Sequence, residues 1–85
     1  MPKIEIYTKT TCGFCRRAKM LLDMKKAGYE EHRVDFGGPA KAEMLDRAGG
    51  RSTVPQIFID GRHIGGCDDL MSLEQDGKLD ELLTA

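Results

Sequence analysis

Two cysteines separated by two residues stand where the hydrophobic pattern of the chain changes its period. Residues 4–7 (Ile-Glu-Ile-Tyr) alternate, which predicts a β-strand of about five residues. From Phe14 onward apolar residues recur at helical spacing, which predicts an α-helix that ends with Gly28 as its C-cap. Cys12 and Cys15 are therefore predicted to lie at the junction between a strand and a helix.

The rest of the chain continues the alternation of strands and helices. The predicted elements are a weak strand over 29–35, a loop over 36–39, a short helix over 40–48 stopped by Gly49-Gly50, a strand over 54–60, a two-residue turn at Asp60-Gly61, a returning strand over 62–64, a helix opened by Asp68-Asp69, and a final helical turn or two containing Leu79, Leu82 and Leu83. A strand–helix–strand start implies a parallel pair, and the hairpin adds an antiparallel pair. The prediction is one α/β domain over residues 1–85 with a mixed sheet, in the order βαβαββα plus a short C-terminal helix.

Composition and charge argue against several classes of function. The formal net charge of the 85 residues is only −1, whereas proteins that track nucleic acid carry a basic excess. The chain has no long apolar run and no apolar leader after Met1, so we expect no nucleic-acid or membrane partner and a cytoplasmic location. Three cysteines are an odd number, which argues against a framework of structural disulfides.

A structural zinc site is one alternative for the cysteine pair. Such a site needs about four ligands, usually with a second close pair. The chain otherwise offers Cys67, His32 and His63, which form no second CxxC or HxxxH pair. We therefore expect no zinc at these cysteines. A buried and unreactive pair of thiols remains the other alternative.

The position of Cys12 predicts a reactive thiol. Unpaired N–H groups at the start of a helix favour an anion, and Lys9 adds a positive charge three residues upstream. Together they should lower the pKa of the Cys12 thiol from about 8.5 to below about 7. Cys15 lies one turn further into the helix. We therefore expect Cys12 to attack a disulfide and Cys15 to resolve the mixed disulfide, as in a thioredoxin-like redox motif.

The segment Thr53-Val54-Pro55 suggests a second part of the site. A proline that opens a strand removes one ladder donor, so it lies where pairing is not needed. If the peptide bond before Pro55 is cis, the Val54 N–H and C=O turn outward and can pair with an extended substrate. An ordinary trans proline at the start of a strand is the alternative.

Four motifs then occur in order over nearly the whole chain. They are Tyr7-Thr8-Lys9, Cys12-Gly13-Phe14-Cys15, the run 53–59 (Thr-Val-Pro-Gln-Ile-Phe-Ile) and the run 64–70 (Ile-Gly-Gly-Cys-Asp-Asp-Leu). With these motifs the chain resembles the glutaredoxins, in particular the small bacterial dithiol type. The resemblance implies a thioredoxin fold with a mixed four-stranded sheet flanked by helices, a cis Pro55, and glutathione as cosubstrate. The implied activity is the reduction of protein disulfides and protein–glutathione mixed disulfides through Cys12 and Cys15.

The resemblance also implies which residues bind glutathione. They are Lys9, Cys12, Phe14, Thr53, Val54, Pro55, Gly66, Cys67, Asp68 and Asp69. The Gly65-Gly66 break would let the ligand approach the backbone, and the following helix start would offer N–H groups to the γ-glutamyl carboxylate. The side chain of Asp68 or Asp69 would take the amine.

The other end of glutathione would meet residues from the first half of the chain. Lys9 would bind the glycine carboxylate, with Lys41 as a candidate second cation, and Val54 would pair with the cysteinyl backbone. Cys67 is expected to contribute its backbone N–H rather than its thiol.

The residues between the two cysteines depart from the commonest dithiol motif, which has Pro-Tyr there. Gly13 loosens the first helical turn and Phe14 lacks the phenol hydroxyl. Cys-Gly-Phe resembles the monothiol glutaredoxins, which carry a [2Fe–2S] cluster between two monomers. We therefore keep a glutathione-ligated [2Fe–2S] dimer, with Cys12 as the protein ligand, as an alternative function. Otherwise we expect a monomer. A redoxin reduced by thioredoxin reductase is a third possibility.

Overall fold

The structure is a computed structural model that describes residues 2–84. Its elements are β1 (Ile4–Thr8), α1 (Gly13–Met24), β2 (Glu30–Arg33), α2 (Gly38–Arg47), β3 (Gln56–Ile59), β4 (Arg62–Gly65), α3 (Cys67–Gln75) and α4 (Leu79–Leu83). The strands form one sheet in the order β2-β1-β3-β4. Strand β1 pairs parallel with β2 and antiparallel with β3, and β3 pairs antiparallel with β4. The predicted mixed four-stranded sheet flanked by helices is confirmed.

Both faces of the sheet are covered, and β1 is buried along its whole length. Ile4 and Ile6 belong to a core shared with residues of α1, α3 and α4. Tyr7 belongs to a second core, with Met44 of α2 and Phe58 of β3. The alternation of β1 therefore separates two buried faces rather than a buried face from a solvated one.

Glu5 shows how a charged residue is accommodated in this buried strand. Its side chain accepts a hydrogen bond from Arg47 of α2, with 2.6 Å between Arg47 Nη2 and Glu5 Oε2. Arg47 also donates to the buried Tyr7 hydroxyl at 2.8 Å. The Arg47 guanidinium lowers the pKa of the Glu5 carboxyl, so this ion pair fastens α2 to the sheet.

The predicted end of the first helix was wrong. Helix α1 ends at Met24, with Lys25 as its C-cap. The residue with positive φ is Lys26 (φ 56°) and not Gly28. The amide of Lys26 bonds to the Asp23 carbonyl at 2.9 Å, and the amide of Ala27 bonds to the Leu22 carbonyl at 3.0 Å. These two bonds form a Schellman motif, which terminates the helix without a glycine.

The predicted boundaries of α2 and β3 also shift. Helix α2 begins at Gly38, so Pro39 lies in its first turn rather than in a loop, a position where proline is tolerated because no intrahelical N–H is required. Strand β3 begins at Gln56 rather than Val54, because Pro55 has no N–H to donate to a neighbouring strand.

The hairpin turn between β3 and β4 was predicted correctly. Asp60 and Gly61 both have positive φ, 51° and 79°, as a two-residue type I′ turn requires. The register of the pair shifts between Ile57 and Phe58. The turn returns the chain along β3, so that the start of α3 reaches the segment that precedes β3.

Among residues 2–84, none of the helices has the length and apolar character needed to cross a membrane.

Candidate active site

The two cysteines of the CxxC motif form a disulfide at the start of α1. Cys12 is the N-cap residue, with extended backbone angles, and its Sγ accepts a hydrogen bond from the Cys15 amide at 3.1 Å. Cys12 is half-buried, whereas Cys15 is only 1% exposed. The cap position differs by one residue from the predicted first turn, but it gives the sulfur the same access to helical N–H groups.

The loop that leads into Cys12 is fastened to the end of β2. The Thr10 amide donates to Asp35 Oδ1 at 2.6 Å, and Arg33 Nε donates to Asp35 Oδ2 at 2.9 Å. The hydrogen bond from the Thr10 amide is the main reason that the pKa of Asp35 falls to about 2. Asp35 is therefore ionised at any working pH and holds the loop that positions the first cysteine.

The cis-proline segment lies against the Cys12 sulfur. The bond between Val54 and Pro55 is cis, as the resemblance implied. Cys12 Sγ lies 3.8 Å from the carbonyl oxygen of Val54. Pro55 is buried and Val54 is half-buried. The main chain of residue 54 is thus held beside the sulfur that is predicted to react.

The start of α3 is organised by one carboxylate. Asp69 Oδ2 accepts a hydrogen bond from the Gly66 amide at 2.9 Å, so the side chain at the third helical position satisfies the N–H of the N-cap residue. Arg51 Nη1 lies 3.6 Å from the same oxygen. Gly65 has φ 119°, and a Cβ there would overlap Asp69 Oδ2 and lie 2.7 Å from Asp69 Cγ. This approach explains why the chain needs glycine at position 65.

A cleft of about 450 Å³ lies between the cis-proline segment and the start of α3. Its lining residues are Phe14, Arg51, Thr53, Val54, Pro55, Gly66, Cys67, Asp68 and Asp69. The lining thus contains every residue predicted to bind glutathione except Cys12 and Lys9. Cys12 contacts a lining residue, because its Sγ lies near the Val54 carbonyl oxygen. Lys9 is exposed and lies outside the lining set. Lys41, on α2, also lies outside the lining set.

Arg51 is the cleft residue that the sequence analysis missed. It is the cation that follows Gly49-Gly50, two residues before Thr53. That position was a usable signal, because a charged residue just before a predicted ligand-binding segment is well placed to reach the ligand. The glycine pair was interpreted only as the end of a helix.

Phe14 does not belong to the core, contrary to the helical pattern. Its side chain is 57% exposed and forms a wall of the cleft. The apolar stripe of α1 is instead buried at Ala18, Leu21 and Leu22. An exposed aromatic ring beside a reactive sulfur can cover the apolar parts of a bound ligand.

Cys67 is the third cysteine, and among residues 2–84 it forms no disulfide. It is 6% exposed, and burial raises the pKa of its thiol. A buried thiol that is protonated near neutral pH reacts slowly. Because Cys67 is the first residue of α3, its backbone N–H has no acceptor within the helix and is available to a ligand at the helix N-terminus.

Comparison with known proteins gives consistent matches. The family model for glutaredoxin matches residues 4–64. Glutaredoxin 3 of Escherichia coli strain K12 is 54% identical over 83 residues, which cover 98% of this chain and 99% of that protein. Glutaredoxin 1 of Rickettsia typhi is 54% identical over 81 residues, which cover 94% of this chain and 78% of the relative.

Solved structures give the same result. The crystal structure of a buckwheat glutaredoxin–glutathione complex superposes with a TM-score of 0.86 at 40% identity, covering 98% of this chain and 77% of that one. The solution structure of glutaredoxin from Brucella melitensis superposes with a TM-score of 0.81 at 49% identity, covering 95% of this chain and 87% of that one.

Proposed function

Since the chain belongs to the glutaredoxin family and is a glutathione-dependent thiol–disulfide oxidoreductase, we propose that Cys12 is its attacking thiol and Cys15 its resolving thiol. The observation that carries this assignment is the difference in access between the two sulfurs. Cys12 lies at the helix cap beside the cleft and accepts an amide hydrogen bond, while Cys15 is buried behind it. A thiolate at Cys12 is stabilised by the amides of the helix start and can be reached by a substrate.

With a protein–glutathione mixed disulfide, the Cys12 thiolate attacks the glutathione sulfur. The S–S bond of the substrate breaks, the protein leaves as a thiolate that takes a proton, and glutathione remains on Cys12. The thiolate of a second glutathione then attacks the glutathione sulfur. This step releases oxidised glutathione, which consists of the substrate's glutathionyl group and one free glutathione, and restores the Cys12 thiolate. The net reaction therefore consumes one glutathione for each protein thiol released.

With a protein disulfide, the Cys12 thiolate forms a mixed disulfide with one substrate sulfur and releases the other as a thiol. The Cys15 thiolate then attacks the Cys12 sulfur. This second step forms the Cys12–Cys15 disulfide and releases the reduced substrate. Two glutathiones return the pair to dithiol and leave as oxidised glutathione.

Glutathione is proposed to lie along the cleft with its sulfur against Cys12. The cysteinyl backbone pairs with the main chain of Val54, and the γ-glutamyl carboxylate meets the N–H groups at the start of α3. Asp69 is already engaged by Gly66 and Arg51, so the exposed Asp68 is the better candidate for the amine. This placement gives the γ-glutamyl carboxylate and the amine partners at the start of α3, which lines the cleft.

Arg51 is proposed to supply a guanidinium to a glutathione carboxylate, in addition to the role assigned to Lys9. We expect Arg51→Gln to raise the KM for glutathione about fivefold, because a charge-assisted hydrogen bond at a half-exposed site is lost. Arg62→Gln is the matched control, since Arg62 is an exposed arginine outside the cleft lining and should leave KM unchanged. Lys9→Gln, measured in parallel, separates the contributions of the two cations. Equal KM values for Arg51→Gln and the wild type would contradict the placement of the guanidinium.

The activity is tested with a glutathionylated substrate, freshly reduced protein, and glutathione reductase with NADPH to report oxidised glutathione. Robust turnover that saturates with glutathione is the expected result. Negligible turnover by folded protein would contradict the proposal.

A glutathione-ligated [2Fe–2S] dimer is proposed as a second function. The supporting observation is the space beside Cys12: among residues 2–84, apart from the residues that flank Gly13 and the nearby backbone of α1, no heavy atom lies within 4 Å of the position that a Cβ of Gly13 would occupy. Two Cys12 thiolates and two glutathione thiolates supply the four sulfur ligands that such a cluster needs.

The chain is otherwise proposed to act as a monomer in a reducing compartment such as the cytoplasm, where a free thiol like Cys67 stays reduced.

Anaerobic reconstitution with iron, sulfide and glutathione tests the second function. We expect a visible iron–sulfur spectrum that coelutes with a dimer in size exclusion. Gly13→Pro should reduce the yield several-fold, because a proline ring fills the free space beside Cys12, while Gly28→Ala, remote from the site, should not. Reconstituted protein that is colourless and monomeric would rule the second function out.

A further inference from the structure

Gln56 is a fully buried amide that directly follows Pro55 in the chain. A buried amide is costly unless its donors and its acceptor are paired. Gln56 Nε2 donates to the Thr53 carbonyl at 2.9 Å and to Thr53 Oγ1 at 3.2 Å. Gln56 Oε1 lies 2.7 Å from His63 Nε2. The amide nitrogen of Gln56 therefore donates both of its hydrogen bonds to Thr53, the residue that precedes Val54.

The orientation of this amide fixes the protonation of the histidine. A main-chain carbonyl can only accept, so the amide NH₂ group must face Thr53 and the amide oxygen must face His63. His63 Nε2 must then carry a proton and donate it. Burial, with a smaller contribution from the positive charge of Arg51, lowers the pKa of His63. The ring is therefore neutral near pH 7, with Nε2–H as its single donor.

His63 is itself held by the sheet. It lies opposite Phe58 in the register of β3 and β4, and its ring stacks on the Phe58 ring with centroids 5.0 Å apart and planes 26° apart. Phe58 is 1% exposed and belongs to the core beneath α2. The hydrogen bonds thus run from a fixed point in the sheet, through Gln56, to residues 51–55, which belong to neither a helix nor a strand.

We propose that His63 and Gln56 are positioning residues of the glutathione site. They hold Thr53, and through it the main chain of Val54, in the orientation that pairs with the cysteinyl backbone of glutathione. Neither residue touches the reacting sulfur atoms, and His63 lies outside the cleft lining. The proposal rests on the placement of glutathione against Val54 under the proposed function. It assigns a role to Gln56, a residue of the 53–59 motif, and to His63, which directly precedes the 64–70 motif.

The first test compares two replacements of the histidine. His63→Phe keeps a ring that can stack on Phe58 but removes the donor, whereas His63→Gln places an amide donor near the position of Nε2. We expect His63→Phe to raise the KM for glutathione about tenfold, because the Gln56 amide loses the partner that orients it and its hydrogen bonds to Thr53 weaken. The kcat should change by less than about twofold, since the sulfur chemistry is untouched. His63→Gln should bring the KM for glutathione most of the way back to the wild-type value.

The matched control is His32→Phe, which replaces the other histidine of the chain, on β2 and outside the cleft lining. It should leave the KM for glutathione unchanged. Gln56→Met keeps the volume of the side chain and removes all of its hydrogen bonds, so it should raise KM at least as much as His63→Phe. The double variant should be no worse than Gln56→Met alone, because the two residues act through one chain of hydrogen bonds.

Direct binding provides a readout that needs no turnover. The oxidised protein is titrated with S-methylglutathione, followed by amide shifts, and thermal unfolding of each variant is recorded. Weaker binding by His63→Phe and Gln56→Met, with rescue by His63→Gln, is the expected result. A lowered unfolding temperature with unchanged KM and unchanged binding would overturn the positioning role. Wild-type protein that binds no S-methylglutathione and shows no turnover would overturn the proposed function as well.

Discussion

Replacement of Cys12 by serine is expected to abolish glutathione-dependent turnover of protein disulfides and of glutathionylated proteins, by at least about a thousandfold. The Cys12 sulfur lies at the helix cap beside the cleft, and the buried Cys15 cannot replace it as the attacking group. A serine hydroxyl at the same position remains protonated near neutral pH and does not attack a disulfide. The measurement is the coupled assay with both classes of substrate.

Replacement of Cys15 by serine separates the two reactions. Deglutathionylation should persist, because a second glutathione attacks the glutathione sulfur bound to Cys12 without help from Cys15. The amide of residue 15, which donates to Cys12 Sγ at 3.1 Å, is also retained in this variant. Reduction of a protein disulfide should slow strongly, since no internal thiol is left to release the trapped substrate. Loss of deglutathionylation in Cys15→Ser would contradict the assigned roles.

Much of the fold could be predicted from local sequence because its signals are local. The hairpin at Asp60-Gly61 depends on two neighbouring residues with positive φ, and both residue types tolerate that conformation. The parallel start follows from one strand, one helix and one strand in sequence. The end of α1 escaped prediction because the positive φ falls on Lys26, which carries no compositional mark of a helix stop.

The residues of the candidate site also fall into those that a local motif reveals and those that depend on contacts between distant parts of the chain. The cysteines and the proline were found because each occupies a recognisable motif. Arg51 was missed because the glycine pair before it was interpreted only as the end of a helix, and because its contact with Asp69, eighteen positions away in sequence, is visible only in the folded chain. The relation of His63 and Gln56 to Thr53 was missed for the same reason, since it depends on strand pairing and on a buried amide. Pairwise contacts between distant residues leave no local pattern.

Gly65 should be the glycine whose replacement is most damaging to the cleft. In Gly65→Ala the residue would keep φ near 119°, a region that side chains rarely adopt, and the new Cβ would overlap the Asp69 carboxylate. Relief of the overlap requires Asp69 to leave both the Gly66 amide and Arg51. We expect a loss of about 3 kcal/mol in the free energy of unfolding, from backbone strain and a lost helix cap together, and a raised KM for glutathione.

Gly61→Ala is the matched control, since Gly61 also has positive φ (79°) but, among residues 2–84 and apart from its two chain neighbours, no heavy atom lies within 4 Å of its added Cβ. It should cost only about 1 kcal/mol, the strain of the left-handed backbone alone, and leave the KM for glutathione unchanged. Urea unfolding gives both free energies. Repeating the pair in an Asp69→Ala background isolates the overlap, because the difference between the two glycine variants should then shrink. Equal losses for both variants in the wild-type background would show that the carboxylate of Asp69 places no constraint on position 65.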